Sequence, residues 1–146
     1  MASSDIDLIE LSKMLKIKLN GIYCKDELHT LTYKNGGYIL NLDNSDGIGT
    51  HWTAFYIDFY QCYYFDSFGI VFPEELINWS KDKIIYYNVN HIQDINDNHC
   101  GYYCILFLYY FQHNKTYNRM ETFVNLFTAN PKKNVMILKK YLKQIL

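Results

Sequence analysis

Residues 98–112 read NHCGYYCILFLYYFQ, and this stretch decides the fold. A polar pair leads into an apolar run with no breaker after Gly101, a pattern typical of a buried helix that begins at Cys100. A cysteine at a helix N-terminus lies beside unpaired backbone N–H groups and the positive end of the helix dipole, which favour the thiolate. Gly101 leaves the backbone beside the sulfur uncrowded. The stretch predicts either a nucleophilic Cys100 or a small buried thiol, since free cysteines are often buried.

The segments before and after this helix alternate between helical and strand patterns. Apolar spacing predicts a helix from Ile6 to Leu19, capped by Ser3 or Ser4 and ended by Asn20-Gly21. The remaining predicted elements are strands at 38–42, 51–59, 63–68 and 84–89, and helices at 73–79, 120–127 and 135–145. The strands at 51–59 and 63–68 should form a hairpin. This order predicts an α+β fold, with residues 1–146 forming a single domain.

Composition narrows the class of protein. The chain has 146 residues, 18% of them aromatic, and a net charge of −1, so strong nucleic-acid binding is not expected. Neither an N-terminal signal core nor a run of about 18 apolar residues is present, so we expect no membrane association. An intracellular setting keeps the four cysteines reduced, which leaves catalysis or metal binding for any special thiol.

A histidine at the start of an aromatic strand is the candidate base. His51 follows a glycine-containing loop and begins the stretch HWTAFYID. A neutral imidazole there could deprotonate Cys100, and Trp52 beside it could exclude water. The alternative is an ordinary loop histidine. The other histidines of the chain are His29, His91, His99 and His113.

An acid and an amide complete the candidate site. Asp66 interrupts the second strand of the hairpin, where its carboxylate could accept the Nδ1–H of His51 and fix its tautomer. Asp43 and Asp58 are alternative candidates for that role. Asp66 could also be an ordinary strand-end acid that starts a turn. Gln93 could donate to an oxyanion together with the Cys100 amide, although a surface glutamine is the simpler reading.

These residues carry a resemblance to a known family. The blocks GTHWTAFYID, YYFDSFG and CGYYCILFL, with Gln93 between the last two, resemble the adenain-type proteases of adenoviruses and their relatives in virophages, polinton-like elements and large DNA viruses. The upstream segments GIYCKDEL and GGYILNLDNSDGIGTHW extend the resemblance over about residues 5–111. It implies a papain-like fold, in which the cysteine helix packs on a mostly antiparallel sheet carrying the histidine.

The resemblance also implies roles and partners. His51 becomes the base, Asp66 its orienting acid, Cys100 the nucleophile, and Gln93 the oxyanion donor with the Cys100 amide. Trp52, Gly49 and Gly101 become candidate substrate-binding residues. The implied reaction is cleavage of viral capsid or core precursors after small residues such as Gly, by a monomer in the host cytoplasm or virion. No cofactor is required; a peptide or DNA activator of the family's kind stays open, although the near-neutral charge does not support strong DNA activation.

Three alternatives remain open at this stage. SUMO and ubiquitin-like-protein proteases share the His-Asp-Gln-Cys order and the His-Trp pair. A zinc site could be built from His99, Cys100 and Cys104, but zinc sites usually have a second pair of ligands, so we expect no metal. A binding module on an inactive protease fold is the third, although no candidate catalytic residue is missing.

Overall fold

The computed structural model describes residues 4–45, 51–81 and 83–146, which form a five-stranded sheet with helices on both faces. The strands are β1 (Leu19–Cys24), β2 (Gly36–Asn41), β3 (Trp52–Asp58), β4 (Gln61–Phe65) and β5 (Ile84–Tyr87). The helices are α1 (Asp5–Met14), α2 (Glu74–Ser80), α3 (Cys100–His113), α4 (Arg119–Val124) and α5 (Pro131–Ile145), with a 3₁₀ helix at Lys25–Thr30. None of the described helices is long and apolar enough to span a membrane.

The sheet is mixed, which corrects the expectation of a mostly antiparallel one. Strands β2, β3 and β4 are antiparallel neighbours, whereas β1 runs parallel to β2 and β5 runs parallel to β4. The connections explain the difference. The 3₁₀ helix lies between β1 and β2, and α2 lies between β4 and β5. Each crossover returns the chain to the end of the sheet from which it left, as a parallel pair requires.

Helix α3 is apolar on nearly every side because it is enclosed. One face of the sheet, including Ala54 and Phe65, packs against α3, which is itself covered by α1, α4 and α5. The other face, including Phe55 and Tyr64, packs under α2 and the 3₁₀ helix. Alternate residues of β3 therefore enter different cores, as the two-residue period of a strand requires.

The first predicted helix is shorter than expected. Ser4 caps α1, as predicted, and the structure adds a capping box with Asp7, but the helix ends at Met14. Lys16 has a φ of 56°, which breaks the helix, and the chain then enters β1 at Leu19. Apolar residues at 15, 17 and 19 fit a strand period as well as a helical one, so the pattern alone did not separate the two.

The hairpin of β3 and β4 is confirmed. Its turn lies at Phe59-Tyr60, where Phe59 adopts a φ of 54°, one residue before the predicted position. The register pairs Ala54 with Phe65. The start of β3 and the end of β4 therefore lie at the same edge of the sheet.

Candidate active site

His51 and Asp66 meet at this edge of the sheet. His51 directly precedes β3, and its carbonyl accepts a hydrogen bond from the Leu42 amide at 3.0 Å, which extends the β2–β3 ladder. Asp66 directly follows β4. The Nε2 atom of His51 lies 2.8 Å from Oδ1 of Asp66. The predicted partnership is therefore present in the structure, while Asp43 and Asp58 do not take that position.

The prediction named the wrong ring nitrogen. Nε2 of His51, and not Nδ1, contacts the carboxylate of Asp66. Nε2 is the ring atom farther from the main chain, so it is the one that reaches across to the neighbouring strand. This contact fixes the neutral tautomer with its proton on Nε2. Nδ1 is then the nitrogen left to accept a proton from Cys100.

Cys100 is the first residue of α3 and is partly exposed. Its side chain lies close enough to His51 to affect the imidazole, so the ring lies between the Asp66 carboxyl and the Cys100 sulfur. Burial lowers the pKa of His51, but hydrogen bonds to Asp66 and Cys100, together with the charges of both, outweigh that effect and raise it to about 9. Near neutral pH the site therefore favours a protonated His51, the state in which it pairs with a thiolate.

Asp66 is fully buried, and its position is fixed by several contacts. Its Oδ1 also accepts the Phe68 amide at 2.8 Å, while Oδ2 is buried and accepts no hydrogen bond from the described residues. Asn88, which follows β5, accepts from the Asp66 amide at 3.0 Å and donates to the Asp66 carbonyl at 2.7 Å. Asn88 was not singled out by sequence, where a polar residue after a strand is unremarkable.

Gly69 closes the turn that follows Asp66. Its amide donates to the Asp66 carbonyl at 2.8 Å, and its φ is +75°. A Cβ at this position would lie 2.7 Å from the carbonyl oxygens of both Val89 and Asn90. Only glycine fits here, because both the backbone conformation and the space exclude a side chain.

Gln93 is buried rather than a surface residue. Its Nε2 donates to the Asp97 carbonyl at 2.7 Å, and its Oε1 accepts from the Ser67 hydroxyl at 2.5 Å. The Asp97 side chain in turn contacts both the amide and the imidazole of His99, the residue before Cys100. The amide of Gln93 is thus bonded into the loop that leads to α3.

The candidate substrate-binding residues have different surroundings. Trp52 is half-buried and packs against the α3 side of the core, and Gly101 is buried in the first turn of α3. Gly49 lies outside the described residues. Phe68, which sequence reasoning did not select, has its ring centroid 4.7 Å from that of His51 and covers one face of the imidazole.

The other cysteines have different environments. Burial raises the pKa of the Cys62 thiol to about 12 and that of Cys104 well above its usual value. Burial, followed by the nearby acids Glu27 and Asp26, also raises the pKa of Cys24. None of these three settings favours a thiolate near neutral pH.

The zinc alternative is not supported by the arrangement of its ligands. Among the described residues, the metal-binding atoms of His99, Cys100 and Cys104 do not converge. Within the part of the chain that the structure describes, one group of such atoms is close enough together, that of Cys24, Asp26 and Glu27, and it is partly exposed.

Comparisons with known proteins agree with the fold. No family model matches the sequence, and no curated protein matches it. The crystal structure of the ASFV pS273R protease is similar, with a TM-score of 0.65 over 99% of this chain and 68% of that protease. The two sequences are 14% identical. The α+β fold described above is therefore shared with a viral protease.

Proposed function

We propose that this chain is a viral cysteine endopeptidase that cleaves viral capsid or core precursors after small residues such as Gly during virion maturation. One observation carries the proposal: His51 is hydrogen-bonded to Asp66 at 2.8 Å and lies close enough to Cys100 for that side chain to raise its pKa. The shared fold with a viral protease supports the class of enzyme. The choice of substrate rests on the resemblance to adenain-type proteases.

The proposed mechanism gives each of these groups a defined role. His51 takes the Cys100 proton, and the thiolate sulfur attacks the carbonyl carbon of the scissile peptide. Gln93 and the Cys100 amide donate to the resulting oxyanion. As the intermediate collapses, the C–N bond breaks and His51 gives its proton to the leaving amine. Water, deprotonated by His51, then attacks the thioester and releases the acid and the free thiol.

The preference for a small residue rests on the aromatic rings that adjoin the base. Trp52 follows His51 in sequence, and Phe68 lies against its imidazole. The Phe68 ring narrows the approach to His51, and the resemblance implies that Trp52 narrows the approach to the sulfur further, which favours glycine. We further propose that the enzyme acts as a monomer, without a required cofactor, in the host cytoplasm or the virion.

Cleavage of natural precursors tests the proposal. Wild type and Cys100→Ala are incubated separately with capsid precursor from the same genome and with a SUMO or ubiquitin precursor. Discrete cuts in the capsid precursor that Cys100→Ala lacks are expected. Cuts in the modifier precursor alone would replace this proposal with a deconjugating protease. Equal cutting by wild type and Cys100→Ala would refute the role of Cys100.

A further inference from the structure

Ser67 lies between the acid and the amide of the site, and the mechanism above gives it no role. It follows Asp66 directly and is 1% exposed. Its hydroxyl and its carbonyl both face the segment that carries Gln93, 26 residues later in the chain. Ser67 lies in the turn that follows Asp66, and turn residues usually lie at the surface, so its nearly complete burial needs an explanation.

Three hydrogen bonds join Ser67 to this segment. The Ser67 carbonyl accepts from the amides of Ile92 at 2.8 Å and Gln93 at 2.9 Å. The Ser67 hydroxyl donates to Oε1 of Gln93 at 2.5 Å. The first two bonds hold the main chain at Ile92 and Gln93, and the third holds the Gln93 side chain.

The chemistry of the partners fixes the direction of the Gln93 amide. The Asp97 carbonyl can only accept, so the NH₂ group of Gln93 must face it. Oε1 must then face Ser67, whose hydroxyl acts as the donor. With Oε1 and one N–H engaged, the planar amide has a single remaining N–H. No acceptor among the described residues takes that hydrogen.

We infer that Ser67 is a positioning residue that holds the Gln93 side-chain amide in the orientation from which its remaining N–H donates to the oxyanion. The inference rests on the proposed function. Without the Ser67 hydroxyl, the buried Oε1 of Gln93 loses its donor, and the amide is held only at its NH₂ end, by the Asp97 carbonyl. Because Ser67 also adjoins Asp66, one short turn fixes the positions of both the orienting acid, Asp66, and the proposed oxyanion donor, Gln93.

The test separates oxyanion stabilisation from thiol activation. Peptide hydrolysis passes through an oxyanion, whereas alkylation of Cys100 by iodoacetamide does not. We expect Ser67→Ala to lower kcat about tenfold with KM little changed, because loss of a buried hydrogen bond commonly has an effect of this size. The rate of alkylation and its pH dependence should equal those of wild type. Ser67→Cys, which retains a weak donor, should recover part of the loss.

Ser80→Ala is the matched control. Ser80 is equally buried, and its hydroxyl donates to the Leu76 carbonyl within α2, on the other face of the sheet. This variant should keep full kcat even if its melting temperature falls. If Ser80→Ala lowers kcat as much as Ser67→Ala does, loss of a buried hydrogen bond anywhere in the fold, and not the orientation of Gln93, would explain the effect.

A double-mutant cycle with Gln93→Ala decides the question. If Ser67 acts through Gln93, Ser67→Ala should cause no further loss of kcat in the Gln93→Ala background. Independent, multiplying losses would overturn the inference, as would an unchanged kcat in Ser67→Ala alone. If the wild type shows no Cys100-dependent hydrolysis, the proposed function fails, and the inference fails with it.

Discussion

Replacing Asp66 with asparagine isolates the charge of the orienting acid. Asparagine has the same shape, and its side-chain oxygen can still accept from Nε2 of His51 and from the Phe68 amide. The new NH₂ group would lie where Oδ2 now sits, a buried atom without a hydrogen-bond partner among the described residues. The main loss is therefore the negative charge beside the imidazolium.

The structure sets the size of the effect. The pKa of His51 is raised from 6.5 to about 9, which at 1.36 kcal/mol per unit amounts to about 3 kcal/mol of net preference for the imidazolium. A hydrogen bond to a charged group contributes about 1.5–3 kcal/mol. Asp66→Asn should therefore lower the pKa of His51 by about one to two units and the rate of hydrolysis about 10- to 100-fold.

Ring NMR of the histidines against pH measures the first quantity, and peptide hydrolysis measures the second. A His51→Gln variant assigns the His51 signal among the five histidines. Asp58→Asn is the control: Asp58 lies on the same hairpin but pairs with the buried Arg119 at 2.9 Å. It should lower the melting temperature and leave the His51 titration unchanged. A His51 pKa in Asp66→Asn within half a unit of wild type would refute the reasoning.

Three further predictions follow from the same contacts. The kcat/KM profile should fall above about pH 9, because His51 then lacks the proton that it delivers to the leaving amine, and a flat profile to pH 10 would argue against that role. Since the folded-state pKa of His51 is raised, its contribution to the free energy of unfolding should be complete below pH 6.5 and disappear as the pH rises to about 9. The difference in unfolding free energy between wild type and His51→Gln should therefore shrink over that range. A difference that grows with pH would contradict the predicted direction. At pH 7 iodoacetamide should modify Cys100 alone, because Cys24, Cys62 and Cys104 have raised pKa values, and mass spectrometry showing early modification of any of these would contradict the assignment.

Much of the fold could be predicted because its strongest patterns are local. The apolar run after Cys100 predicts an enclosed helix, and α3 spans Cys100–His113. Two aromatic strands separated by a short turn predict the hairpin, which brings the start of one strand beside the end of the next. The pairing of His51 with Asp66 follows from that hairpin. The parallel edge strands were not predicted, because their direction depends on crossover connections.

The site contacts that the sequence did not predict join residues that are far apart along the chain. Asn88 holds the main chain of Asp66 from 22 residues away, and Ser67 holds Gln93 from 26. Each is an ordinary turn or strand-end residue in its local context, so only the folded chain shows its partner. The ring nitrogen that faces Asp66 depends on how the His51 side chain leaves the strand, which residue types alone do not specify.

Covalent trapping with a substrate-like probe tests the central claim most directly. A peptide that ends in glycine followed by an electrophilic vinyl ester carries the acceptor carbon where the scissile bond would lie. Mass spectrometry after digestion should locate one adduct, on Cys100, and His51→Gln should slow its formation. An adduct on Cys24 instead, or formation at an equal rate in His51→Gln, would contradict the assignment of Cys100 and His51 as nucleophile and base.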